Sequence, residues 1–444
     1  MSKTQNVFGV SSGVVESYIE REEVDGSFRT ALESRKQIIV YGSSKQGKTA
    51  LLNKQLKPES QLVYQCAPDT EKRDVYSSIL RNSGVQIMTE SSEQTSDSGT
   101  IVSKVSTKVK IPIFADLGGG VEATKGGETT RKQEYRTIEY NLNLAADVAE
   151  LLREINFSKY IVLENFHYLS QEVQEKLAYD LRIFQELGIR FVILGIWRER
   201  NRLIQFNGDL QDRVVEVAVE PWDNHDFHRV IEKGSMLLNV DFSEVETKII
   251  DSSFDSIGVL QELCNRSCVS AGVTESSPRT VKILNQHLEE AIRKKLDDYS
   301  SRHLRALESF AESSRRTSER MPLFIPFYFL VVLLTSDFDK IMDGFKRSDI
   351  QREIIRIHHR SEDVRPSDMS NFLNTIAKYQ IRKQINPPLF DFDVSISTVK
   401  IIDSTLYFFL RNSDPKEILE KIGTPSDELN AHLAGLDIFV GKAV

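Results

Sequence analysis

Gly42-Ser43-Ser44-Lys45-Gln46-Gly47-Lys48-Thr49 spells a complete G-x-x-x-x-G-K-T phosphate-binding loop, and its flanks decide what kind of fold holds it. The apolar run Ile38-Ile39-Val40-Tyr41 before it reads as a buried strand, and Ala50 to Leu56 after it reads as a helix. Glycines let successive backbone N–H groups converge on phosphate oxygens, and the helix N-terminus adds a favourable dipole. Gly42, Ser43, Ser44, Lys45, Gln46 and Gly47 form the cradle, Lys48 reaches the β- and γ-phosphates, and the Thr49 hydroxyl completes a Mg²⁺ shell. ATP with Mg²⁺ is the expected ligand.

Working outward, Gln61 to Cys66 reads as a second strand, and Thr70 to Asn82 as a helix capped by Asp69 or Thr70. Tyr160-Ile161-Val162-Leu163 and Phe191-Val192-Ile193-Leu194-Gly195 are further apolar runs, separated by a helix from about Ser170 to Glu186. Strands flanked by helices at this rhythm predict an α/β fold with a parallel sheet covered on both faces. Between residues 89 and 136 the chain turns rich in Ser, Thr and Gly, with Val109, Ile111 and Ile113 alternating against polar neighbours. This reads as an insertion carrying a strand or hairpin arm, either a surface loop or an arm for a partner or substrate.

Past Val219 the pattern is helical. The expected organisation is a nucleotide-binding domain over 1–220, a helical lid over 221–285, a connecting helix over 286–320, a winged helix domain over 321–412 and a tail over 413–444. The winged helix reading rests on a core helix at Phe327 to Leu334, helices capped by Ser348 and Ser367, and a ribbon of Leu389–Asp393 with Ser397–Ile402.

The 444 residues fit about three domains, and 40% hydrophobic with 27% charged residues describes an ordinary globular chain. A net charge of −8 excludes a protein that coats nucleic acid by bulk charge, so any such contact must be local. Of Cys66, Cys264 and Cys268, the last two lie four apart on an expected helix and read as buried thiols rather than a metal pair, since no further Cys or His stands near. Three cysteines without a disulfide framework fit a cytoplasmic setting. The first twenty residues lack the basic start and apolar core of a signal peptide, and Leu323 to Leu334, broken by Pro326, is too short to cross a membrane.

The strand ending at Glu164 supplies the acidic half of the site, as a ligand to Mg²⁺ and a contact for water. Asn165 follows it, and an amide cannot act as a general base, so hydrolysis is either slow or served by Glu164 alone. His167 reads equally as a γ-phosphate contact or as a polar residue at a strand end. Arg198 or Asn201, beyond the next strand, reads as a γ-phosphate sensor or as part of a solvated loop. Arg213, ahead of Val214-Val215-Glu216-Val217, reads as a finger for a neighbouring subunit's γ-phosphate or as a structural ion pair.

This order of Gly42–Thr49, Ile161–His167, the strand to Gly195, Arg213, a helical lid and a C-terminal winged helix resembles AAA+ ATPases. It is most similar to the branch of origin-recognition initiators and regulators of Tn7-like transposition, across about residues 14–412. Tyr18 to Glu22 resembles the initiators' adenine-contacting motif, which implies Tyr18 and Arg21 at the base. The resemblance implies ATP-driven homo-oligomers and a winged helix on DNA. Three departures stand out: Glu164-Asn165 replaces Asp-Glu, the stretch Ser256 to Leu263 has no sensor arginine (Arg279 is nearest), and the insertion lengthens the Lys48-to-Glu164 interval. Nucleotide-gated signalling ATPases of the STAND type share the loop and the winged helix, which implies a second reading: a sensor or adaptor for a separate effector protein, in prokaryotic phage defence by analogy.

The winged region itself carries nine basic residues against five acids from Lys346 to Lys383, yet the recognition helix opens Ser367-Asp368-Met369-Ser370-Asn371 without a cation. Backbone contact with DNA, protein docking and packing on the lid all remain open for it, whereas reading of base edges is unsupported.

Overall fold

In the computed structural model, residues 1–10, 13–95, 101–112, 135–312 and 321–436 are described, those within 88–139 by their backbone only. Eight strands come first in the chain: β1 (Gln37–Tyr41), β2 (Gln61–Gln65), β3 (Gln86–Thr95), β4 (Ile101–Pro112), β5 (Tyr135–Glu139), β6 (Tyr160–Glu164), β7 (Phe191–Gly195) and β8 (Val214–Ala218). Five of them make one parallel sheet in the order β2-β6-β7-β1-β8. The inner strands β1 and β7 are buried along their whole length, which is why they are apolar apart from Gln37 at the start of β1. Edge strand β2 leaves Val63 in solvent.

Register sets the site. Tyr41 lies beside Gly195 and Ala218, Gln65 beside Glu164, and Leu163 beside Ile193. All five strands therefore end on one edge, where open α/β sheets bind their ligands. This is the expected α/β P-loop sheet. The helix Lys48–Gln55 leaves that edge from the phosphate loop, and the expected helix at about 170–186 spans Gln171–Glu186, with Ser170 as its cap, and covers one face. The helix after β2 spans Lys72–Asn82 and is capped by Glu71, not by Asp69 or Thr70, because Asp74 returns to the Glu71 N–H at 2.9 Å. The arm residues β3, β4 and β5 form an antiparallel sheet of their own, with Val109 and Ile111 in β4; Ile113 and both glycine clusters lie outside the described residues.

Beyond β8, helices Asn224–Leu238, Glu246–Asp251 and Ile257–Ser270 pack around the short parallel pair β9 (Val240–Asp241) and β10 (Val281–Lys282). The first helix of the chain, Thr4–Phe8, joins them, with Phe8 edge-on to Phe242 at 5.9 Å. Cys264 and Cys268 are buried in the same core as free thiols, and burial pushes Cys268 up to about 12. The helix Asn285–Ala311 then runs for 27 residues, about 40 Å at 1.5 Å per residue.

It ends in the C-terminal core, where Leu307 and Phe310 meet the all-apolar helix Ile325–Thr335. The strands there are β11 (Phe345–Lys346), β12 (Phe390–Asp393) and β13 (Thr398–Ile401), an antiparallel sheet in the order β11-β13-β12. The expected ribbon thus gains a third strand. Helices Arg347–Ile357 and Pro366–Asn374 begin earlier than Ser348 and Ser367 would set, capped at Lys346 and Arg365, so both serines sit inside the first turn. Two helices, Pro415–Ile422 and Asp427–Ala434, return Ile418 and Leu429 to this core. Among the described residues no helix is long and apolar enough to cross a membrane.

Candidate nucleotide site

The phosphate loop turns on Gly47, whose φ of 88° lies in the left-handed region and which caps the helix Lys48–Gln55 without any side chain. The first-turn N–H groups of that helix are thus left for an anion. Lys48 folds back over the loop, its Nζ donating to the carbonyls of Gly42 at 2.9 Å and Ser43 at 2.6 Å. Burial pushes its ammonium down to about 8, against a smaller upward pull from Glu220.

Two residues just past the strand ends brace the start of the loop. Glu220 Oε1 accepts from both the Ser43 N–H and the Ser43 hydroxyl at 2.9 Å. Arg198 Nε donates to Ser43 Oγ at 2.7 Å and pairs with Glu220 at 3.2 Å. Of the two sensor candidates, Arg198 therefore touches the loop, while Asn201 instead donates its N–H to Glu216 at 2.9 Å. Glu220 escaped the sequence reading; its only signal was an acid immediately after the apolar run Val217-Ala218-Val219.

A cavity of about 250 Å³ opens beside the loop, just under the roughly 300–1,000 Å³ common for ligand sites. Lys45, Gln46, Gly47, Lys48 and Thr49 line it together with Glu164, Asn165 and His167. Tyr18, Ile19, Arg21, Val24 and Trp222 add an apolar and aromatic part of the lining suited to a planar base. Arg21 lies 3.6 Å over the Trp222 ring and donates to Val219 O at 2.7 Å, so it buttresses that wall; the Tyr18 hydroxyl donates to Asp25 at 2.6 Å. Gln46 Oε1, both nitrogens of His167 and Trp222 Nε1 are buried without a hydrogen-bond partner among the described residues. Orphaned polar atoms on residues that line one cavity suit a polar occupant.

At the strand end, Gln65 bridges the two residues that sequence placed at the catalytic position. Its amide nitrogen donates to the Glu164 carboxylate, and its oxygen accepts from Asn165 Nδ2 at 2.9 Å. Asn165 takes a left-handed backbone, φ 58°, which Asn tolerates better than most residues. The Glu164 carboxylate and the Thr49 hydroxyl line the same cavity, an all-oxygen donor pair of the kind Mg²⁺ prefers.

The C-terminal region covers the loop. Ser44 donates its N–H to Ile402 O at 3.0 Å, and Ser404 Oγ donates to Ser44 O at 3.0 Å. Lys45 Nζ donates to the Tyr299 hydroxyl at 2.6 Å, which donates in turn to Glu262 at 2.8 Å; the fully buried Lys295 donates to the same carboxylate at 2.7 Å. The helix Ile257–Ser270 arrives so closely that a Cβ on Gly258 would lie 2.6 Å from Lys45 Cβ. Arg202 pairs with Asp391 of β12 at 3.3 Å.

Arg213 lies elsewhere. Its carbonyl accepts from the Gln37 N–H at 2.9 Å, at the start of β1 and β8, so it sits on the edge of the sheet opposite the phosphate loop. Its side chain pairs with Glu186 at 3.1 Å, half-exposed. Arg279 is exposed and lies outside the cavity lining.

No protein-family model and no curated protein matches this sequence. Among solved structures, the chain is similar to the Walker-type ATPase of Pyrococcus abyssi, at 13% identity over 91% of this chain and 99% of that one, TM-score 0.47. It is similar to the Orc1 protein of Aeropyrum pernix solved in complex with DNA, at 14% identity over 97% and 98% of the two chains, TM-score 0.41. It is also similar to a STAND protein of Pyrococcus horikoshii with a tetratricopeptide repeat sensor, at 14% identity over 92% of this chain and 45% of that one, TM-score 0.35. All three TM-scores lie under 0.5, so the fold stands on the strand order and the loop rather than on these likenesses.

Proposed function

We propose that this chain is an ATP-binding switch of the AAA+ kind, in which nucleotide in the cavity moves the C-terminal winged region and so drives assembly with further copies on DNA or a DNA-bound partner. The observation that carries this reading is the cover: Ser44 and Lys45, inside the phosphate loop, are hydrogen-bonded to Ile402, Ser404 and Tyr299. A ligand that reorders the loop must change those bonds, and by linkage the position of the cover must change the affinity for the ligand. Lys48 and the first-turn N–H groups hold phosphate, Thr49 and Glu164 hold Mg²⁺, and the Tyr18–Trp222 part of the lining holds the base. Mg²⁺ would supply charge neutralisation at the phosphates. Arg213, on the far edge, can serve only the site of another copy.

Asn165 supports a second reading, the sensor or adaptor that holds ATP without fast turnover and signals to a separate effector protein. Size-exclusion chromatography of the full chain with Mg²⁺ and ATP, with ADP and with neither, followed by turnover with and without duplex DNA, decides between them. A larger species specific to ATP with DNA-stimulated turnover is expected. A stable ATP-bound oligomer with negligible turnover and no DNA binding selects the adaptor, and an elution volume indifferent to nucleotide overturns both.

A further inference from the structure

His167 stands out among the residues around the cavity. The left-handed turn at Asn165 sends residues 166–168 into a single tight helical turn, which buries Phe166 in the core against Trp197 at 6.4 Å. His167, the next residue, is 8% exposed and lines the cavity, its ring against Tyr168 at 4.2 Å. Neither ring nitrogen has a hydrogen-bond partner among the described residues. Leaving a buried polar group unpaired is costly, so two on one ring need an explanation. The surroundings narrow it. Lys48, whose ammonium is occupied by the carbonyls of Gly42 and Ser43, and Arg202, paired with Asp391, are the charges that bear on the ring. Lys48 and the open imidazole line the same cavity, which makes a place there for an anionic oxygen.

Resting on the reading that this cavity holds a nucleotide, we propose that His167 is a specificity-determining residue that donates a ring N–H to the terminal phosphate of a triphosphate and so separates ATP from ADP. The ring is suited to that task as a neutral donor: burial, then Lys48 and Arg202, hold its pKa down at about 3. The position fits as well. His167 lines the cavity together with Lys48, the residue assigned to the β- and γ-phosphates, and the Lys48 charge bears on its ring. Arg202 beside it leads to Asp391 of β12, which ties this contact to the covering region.

Three variants of the full chain test the assignment by calorimetric titration with ADP and with the non-hydrolysable triphosphate AMP-PNP, each with Mg²⁺. His167→Phe keeps an aromatic ring of similar size without nitrogen, and His167→Gln keeps a donor without the ring. His167→Ala removes both. For the Phe and Ala variants AMP-PNP should bind about ten- to a hundredfold more weakly, the range for a hydrogen bond to a charged group, with ADP unchanged within about twofold. His167→Gln should recover most of the loss. If His167→Phe binds AMP-PNP like the natural chain, or if both nucleotides weaken equally, the ring is packing and the assignment falls. If the natural chain binds neither nucleotide, the nucleotide reading falls and takes this one with it.

Discussion

The phosphate loop and the strand end beside it face one cavity but are finished to different degrees. In the loop Lys48 is bonded to two carbonyls, and Ser43 to Glu220 and Arg198. At the strand end, Glu164 and Asn165 share one glutamine, and His167 has no partner among the described residues. Binding a phosphate needs donors that are already in place, whereas activating water needs a base with a suitable pKa. The loop carries the first kind of group, and the strand end carries an amide, Asn165, after Glu164. On the proposed reading the two regions would make binding and turnover separable.

The strongest way to break this comparison is Lys48→Ala. If the loop carries binding, ATP affinity should drop by about 4 kcal/mol, close to a thousandfold in Kd, as expected for truncating a buried charged partner. A calorimetric Kd within about tenfold of the natural chain would show that the loop is not the binding element. Asn165→Asp sharpens the other side. Returning a carboxylate to the strand end should raise single-turnover hydrolysis by roughly a hundredfold while leaving the ATP Kd within a few-fold. An unchanged rate would mean that something other than the missing base limits turnover.

The smallest effect is in pH. Burial holds Lys48 at about 8, and a bound phosphate favours its charged form. Above pH 8 the complex therefore holds more protons than the free protein, so affinity should fall with rising pH, by at most about tenfold per unit. Lys48→Arg keeps its charge throughout and should flatten that slope in titrations from pH 7 to pH 9.5. A slope that survives the arginine would assign the titration to another group.

How much of this was legible in the sequence follows from where the forces act. The loop and strands β1, β6 and β7 could be read because a strand buried on both faces must be apolar throughout, and because the loop's chemistry fixes its spacing. Helix starts at Lys346 and Arg365 were missed by a residue or two because backbone and Asp368 contacts set the caps, rather than the serines that favour such positions. Gln65 and Glu220 were missed because strand register and the closing of the loop bring them to the site. The bond from Ser44 to Ile402 joins residues far apart in the chain, and no local pattern encodes it. The sequence leaves Arg213 between a finger for another copy and a structural ion pair; it pairs with Glu186 at 3.1 Å, and the finger role is left to be tested between copies.

One consequence of the cavity's aromatic lining is optical. The chain has two tryptophans, and they divide the work of a reporter between them. Trp197 is fully buried, stacked on Tyr41 with centroids 6.5 Å apart, and lies outside the cavity lining. Trp222 lines the cavity under the Arg21 guanidinium, so if the proposed base site is correct, nucleotide should quench or shift its emission. With Trp222→Phe as the dark control, arrival and departure of a ligand can be timed in the native chain by its own fluorescence, without attaching a dye.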